Sequence, residues 1–248
     1  MTPSVHTVCG MLASLFVTIA VAWSVIKIAG NSGVRSHSRP VLLLLGDSLT
    51  EKGTDPTTQG WVTLLKSRYT RSSVVVTHGL SGVVLKGPLW NGSDAETNVP
   101  IGDYKENLIK IVSGLWVAAP TAQLLQITPP HVNDSARVEM AQERTDSKRG
   151  FVDRSNAMTK EYALACVDAS ETLKAPVLDL NSYFNPMSES DRNALLVDGL
   201  HFNQEGNRAV DERLRSNIAA EFPTLDNTVW QFPPASTCVL KDPRTAYS

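Results

Sequence analysis

Pro40-Val-Leu-Leu-Leu-Leu-Gly-Asp-Ser-Leu-Thr50 decides the fold of this chain. Five apolar residues, Val41 to Leu45, run unbroken and stop at Gly46-Asp47-Ser48. An apolar run of that length, ended by turn residues, reads as a strand buried on both faces, as in a parallel sheet. Ser48 then falls just past the carboxyl end of that strand, where open α/β sheets place ligands and chemistry. A serine hydroxyl is a weak nucleophile until a base takes its proton and a third group fixes the base. The flanking sequence must supply both.

Downstream of Ser48, Glu51 to Gly60 reads as a polar loop and Trp61 to Tyr69 as a helix. Ser73-Val-Val-Val-Thr77 is a second β-branched run, ended by the Gly-rich loop His78-Gly-Leu-Ser-Gly82. Asp103 to Val117 carries Leu108, Ile111, Val112 and Leu115 at helical spacing, with Asp103 expected at the N-cap. Ala122 to Thr128 is a strand stopped by Pro129-Pro130, and Gly150 to Leu173 a long helix. Pro176 to Leu180 is a further strand and Asn203 to Ala220 a closing helix. Strands alternating with helices of this length imply a parallel, doubly wound α/β sheet. The expected organisation is an apolar N-terminal segment over 1–30, a linker over 31–39, one domain over 40–222 and a tail over 223–248.

The chain has 248 residues, enough for one such domain with a substantial core. Its net charge of −2 and the lack of any basic run exclude a nucleic-acid footprint. Cys9, Cys166 and Cys238 suit neither a zinc site nor a disulfide framework, which leaves a Cys166–Cys238 bridge or a buried Cys166 thiol. Val8 to Ile26 is 19 residues of almost wholly apolar sequence, near the ~20 needed to cross a bilayer. It reads as a single-pass anchor or, through Ala20-Val21-Ala22, as a cleaved secretory signal. Asn91-Gly-Ser and Asn133-Asp-Ser match glycosylation sequons.

Leu196-Val-Asp-Gly-Leu-His-Phe-Asn203 supplies the missing groups. Asp198 and His201 stand three residues apart just before the closing helix, so one short turn can carry a base and its orienter. Gly46-Asp47-Ser48-Leu49-Thr50 resembles the signature of the GDSL, or SGNH, hydrolases, and Asp198-Gly-Leu-His201 resembles their C-terminal motif. Tyr104-Lys-Glu-Asn-Leu, Ile127-Thr-Pro-Pro130 and Cys166-Val-Asp look like the isoamyl-acetate-hydrolysing esterase branch. The resemblance implies a flavodoxin-like three-layer α/β/α sandwich and a serine esterase of short-chain or acetyl esters, working without metal or cofactor. It also implies Ser48 as nucleophile, His201 as base and Asp198 as orienter. The oxyanion would be held by the backbone N–H groups of Ser48 and Gly82 and by an asparagine.

One interval breaks the pattern. The asparagine belongs in a Gly-x-Asn-Asp loop, and the sequence offers Asn91-Gly-Ser-Asp-Ala95, which puts Ser93 in its place. Ten residues separate Gly82 from Ser93. A helical crossover alone takes about a dozen or more, and a central third strand must follow it. The segment around that strand is therefore expected to be absent, leaving an open edge in mid-sheet. Three readings follow: an incomplete chain, a degenerate non-catalytic member of the family, or Val83–Leu85 filling part of the gap with a substitute donor such as His131 or Asn133.

Overall fold

A computed structural model describes residues 18–22, 40–81 and 99–225. In chain order the elements are β1 (Thr18–Ala22), β2 (Val41–Asp47), α1 (Ser48–Lys52), α2 (Trp61–Tyr69), β3 (Val74–Leu80), α3 (Ile101–Ala118) and β4 (Gln123–Ile127). They continue with α4 (Asp134–Glu143), α5 (Asn156–Leu173), β5 (Val177–Leu178), α6 (Leu180–Phe184), α7 (Glu189–Asn193) and α8 (Gln204–Glu221).

The strand quoted at the outset forms β2, buried on both faces as expected. Leu42 and Leu44 pack against Trp61, Val62 and Leu65 of α2 and Val210, Leu214 and Ile218 of α8. Leu43 points the other way, against Val112 of α3 and Leu124 of β4. Tyr104, Leu108 and Ile111 of α3 meet Tyr162, Ala165 and Cys166 of α5 on that second face. Helices thus cover both sides of the sheet, giving the expected three-layer α/β/α fold with a reduced strand count. Cys166 is a free, buried thiol, and burial pushes it up to about 12. Cys238 lies outside the described residues.

The sheet order is β3-β2-β1-β4-β5. β2 runs parallel to β3, and β4 parallel to β5. Between the two pairs stands β1, drawn from the N-terminal apolar segment and antiparallel to both neighbours. Thr18 pairs with Leu45 on one side and with Gln126 on the other. The expectation of an all-parallel sheet is corrected to a mixed one. The physical reason is ladder pairing: β1 supplies partners for donors and acceptors along the facing edges of β2 and β4, which would otherwise have none.

The reading of Val8–Ile26 as a transmembrane anchor finds no support in its described part. Its described centre is strand, and among the described residues no helix is long and apolar enough to cross a membrane. The remainder of that segment, the 31–39 linker and the tail beyond residue 225 lie outside the described residues.

Smaller corrections follow local chemistry. Pro100, not Asp103, precedes the first turn of α3, and Asp103 sits inside that turn, where a carboxylate faces the positive end of the helix. The long helix α5 begins at Asn156, because Ser155 caps it by accepting from the Met158 N–H at 3.2 Å. The fifth strand shrinks to two residues, since Asp179 caps α6 through the Ser182 N–H.

Candidate active site

Asp47 ends β2 and caps α1: its Oδ1 accepts from the Leu49 N–H at 2.9 Å. The cap turns the chain sharply, so Ser48 opens α1 directly above the end of the strand. α1 is held from two sides. The Trp61 Nε1–H donates to the Leu49 carbonyl at 3.1 Å, and the Glu51 carboxylate accepts from the Ser81 N–H at 2.7 Å. That second bond ties α1 to the loop leaving β3, and the Ser81 donors hold the Glu51 carboxyl below its ordinary value.

Asp198 and His201 sit on a turn closed by the Val197 N–H donating to the His201 carbonyl at 2.8 Å. Gly199 makes the turn with φ at +77°, and a Cβ there would lie 2.8 Å from that of Ala136. Asp198 Oδ1 accepts from the backbone N–H groups of Leu200 at 3.1 Å and His201 at 2.8 Å. Its Oδ2 is left for His201 Nδ1, at 2.6 Å. His201 Nε2 lies 2.9 Å from Ser48 Oγ. Burial alone would raise the Asp198 carboxyl, but the side-chain and backbone hydrogen bonds from His201 outweigh it and hold that carboxyl far below the carboxylate range.

Three of the five expected site residues are therefore joined in one chain of hydrogen bonds. With its Nδ1–H given to Asp198, His201 presents a lone pair at Nε2, able to draw the proton from Ser48 Oγ. Gly82 and Ser93, the expected oxyanion residues, lie outside the described residues, as do Asn91 and Val83–Leu85. The substitute donors do not reach the site. His131 is fully buried, its Nε2 2.6 Å from the Arg192 carbonyl, and burial lowers it to about 4, so it is a neutral core histidine. The Asn133 side chain caps α4 through the Ala136 N–H at 3.2 Å.

Two further residues bear on the site. Asn207 bridges the turn to α2, its Oδ1 accepting from the Trp61 N–H at 3.2 Å and its Nδ2 donating to the Phe202 carbonyl at 3.4 Å. Lys52, in the last position of α1, was not singled out by any motif. Its Nζ lies 3.1 Å from His201 Nδ1 and 3.8 Å from Asp198 Oδ2. A cavity of about 290 Å³ opens beside Lys52, Asp55, Asp198 and His201.

Comparison with known proteins places the chain in a family. Residues 91–214 match the model of the GDSL-like lipase/acylhydrolase family. An isoamyl acetate-hydrolyzing esterase 1 homolog of Mus musculus is 30% identical over 225 residues, covering 78% of this chain and 84% of the relative. The chain belongs to the GDSL-like lipase/acylhydrolase family. The Arabidopsis thaliana GDSL esterase/lipase At5g62930 is 26% identical, across 84% of this chain and 98% of the relative. Among solved structures, a lipase/acylhydrolase from Enterococcus faecalis superposes with a TM-score of 0.51 at 20% identity, over 73% of this chain and 94% of that one. The acetyl xylan esterase AlAXEase gives 0.52 at 15% identity, over 72% and 98%. At such identities these two bear on the fold alone.

The match to the Mus musculus relative spans 225 positions, while 78% of 248 residues is about 193, so roughly thirty positions of that match have no residue here. That deficit is the size of one helix-plus-strand unit. The GDSL model match begins at residue 91, at the far end of the short interval after Gly82.

Proposed function

We propose that this chain is a serine hydrolase of short-chain carboxylic or acetyl esters. The observation that carries the reading is the linked pair of contacts, Ser48 Oγ to His201 Nε2 at 2.9 Å and His201 Nδ1 to Asp198 Oδ2 at 2.6 Å. In this reading His201 takes the Ser48 proton as Oγ attacks the ester carbonyl, and Asp198 holds the imidazolium. The Ser48 and Gly82 N–H groups receive the oxyanion, with Ser93 standing where the family has asparagine. The protonated His201 then gives its proton to the departing alcohol, and water releases the acid from the acyl-enzyme. No metal or cofactor enters these steps, and an anchoring role for Val8–Ile26 is no part of the reading.

The test is p-nitrophenyl acetate turnover by the full chain, with Ser48→Ala beside it. Loss of at least about a thousandfold in kcat/KM is expected for the variant. Equal turnover in the two proteins sinks the assignment. A second reading, a family member that keeps the fold but has lost activity, is favoured by the deficit of roughly thirty positions against the Mus musculus relative. A cooperatively folded full chain without turnover above the Ser48→Ala background would select it.

A further inference from the structure

His201 Nδ1 faces two groups and can satisfy one. Asp198 Oδ2 lies 2.6 Å away and Lys52 Nζ 3.1 Å away. A ring nitrogen carries either a proton or a lone pair in its plane. With the proton on Nδ1, it donates to Asp198, and the Lys52 ammonium stands against an N–H it cannot bond. With the lone pair on Nδ1, Lys52 donates to it, the proton moves to Nε2, and His201 can no longer accept from Ser48. Lys52 is kept in place by Asp198 itself, 3.8 Å from its Oδ2.

We propose that Lys52 is a positioning residue that restrains the base, competing with the His201 Nδ1–H for Asp198 and opposing the positive charge that His201 gains during attack. The proposal rests on the assignment of Ser48, His201 and Asp198 given above. The charged groups around His201 come from several elements. Asp198 shares its turn, Lys52 projects from α1, and Asp55 follows α1 along the same cavity. Asp47, at the end of β2, acts on His201 from beneath, and Arg154 acts in turn on Asp47. Of these, Lys52 is the cation in contact with the imidazole. Its side chain is 56% exposed, so solvent screens the charge without removing it, and its replacement leaves the core untouched.

The experiment compares the full chain with Lys52→Met and Lys52→Arg, recording kcat/KM for p-nitrophenyl acetate from pH 5 to 9. Lys52→Met is expected to raise the plateau about three- to fivefold and to move the acid limb up by about half a pH unit, the scale of a half-exposed charge pair. Lys52→Arg, which keeps the charge, should stay near the parent on both measures. A second readout needs no turnover: the ring 15N shifts of His201 should report a larger Nδ1-protonated share of the neutral ring in Lys52→Met. A lower or unchanged plateau with an unmoved acid limb and unchanged 15N shifts overturns the proposal. Failure of the underlying assignment looks different, because Ser48→Ala would then turn over like the parent whatever Lys52 does.

Discussion

The Asp47 carboxyl sits at the end of β2 with 6% of its surface exposed and the Leu49 N–H as its bonded donor. Burial raises it from 3.8 to about 6, against smaller opposing effects from that bond and from Arg154. The folded protein therefore holds a proton that the unfolded chain releases between those values. Stability is greatest below the unfolded value and falls as pH rises through about 6, by about 3 kcal/mol in all. Asp47→Asn keeps a capping oxygen for Leu49 and removes the buried charge. Urea titrations at pH 4.5 and pH 8 should show the variant ~1–3 kcal/mol more stable at pH 8, with a flatter pH dependence; identical slopes in parent and variant would count against it. At this scale the sequence is legible where chemistry is local. Ser48 lies within a signature, and Asp198 and His201 share one turn, so spacing reveals them. Lys52 escapes such a reading because its partner, His201, is distant in sequence.

Among the elements, α1 depends on close contact with β3. A Cβ at Gly79 would lie 2.4 Å from the Glu51 backbone nitrogen and 2.7 Å from its Cα, far inside contact distance. Gly79→Ala must push α1, and Ser48 with it, away from the strand. Expected costs are ~1–3 kcal/mol of stability from overpacking and roughly tenfold to a hundredfold in kcat/KM from misplacement of the nucleophile. Denaturant midpoints and p-nitrophenyl acetate kinetics measure the two effects, and parental turnover would show that α1 is not so constrained. Periodicity found β2, α2 and α8 nearly to the residue. It missed α4, whose only fully buried side chain is Ala141, because so shallow a helix shows no apolar stripe. The short α6 and α7, five residues each, are fixed by caps and packing instead.

At the scale of the whole molecule, the sheet is completed by a segment whose sequence reads as something else. A nineteen-residue, almost wholly apolar stretch has the length of a membrane span, and no local pattern shows that five of its residues bridge β2 and β4. What the sequence does show is a short interval, the ten residues between Gly82 and Ser93. Proline within β1 tests this architecture. Ala20 pairs with Leu43 on one side and Leu124 on the other, so Ala20→Pro should remove a ladder bond and cost about 3 kcal/mol or more. A loss of that size in the chemical-denaturation midpoint of the full chain is expected, and an unchanged midpoint would remove β1 from the sheet. The same arrangement sets an order for biosynthesis. Thr18 leaves the ribosome early, yet its partner Gln126 follows more than a hundred residues later. At ~5–20 residues per second the nascent chain holds an apolar strand without its second neighbour for on the order of ten seconds. During that wait chaperone capture competes with pairing, so yield in cells should depend on translation speed as much as on final stability.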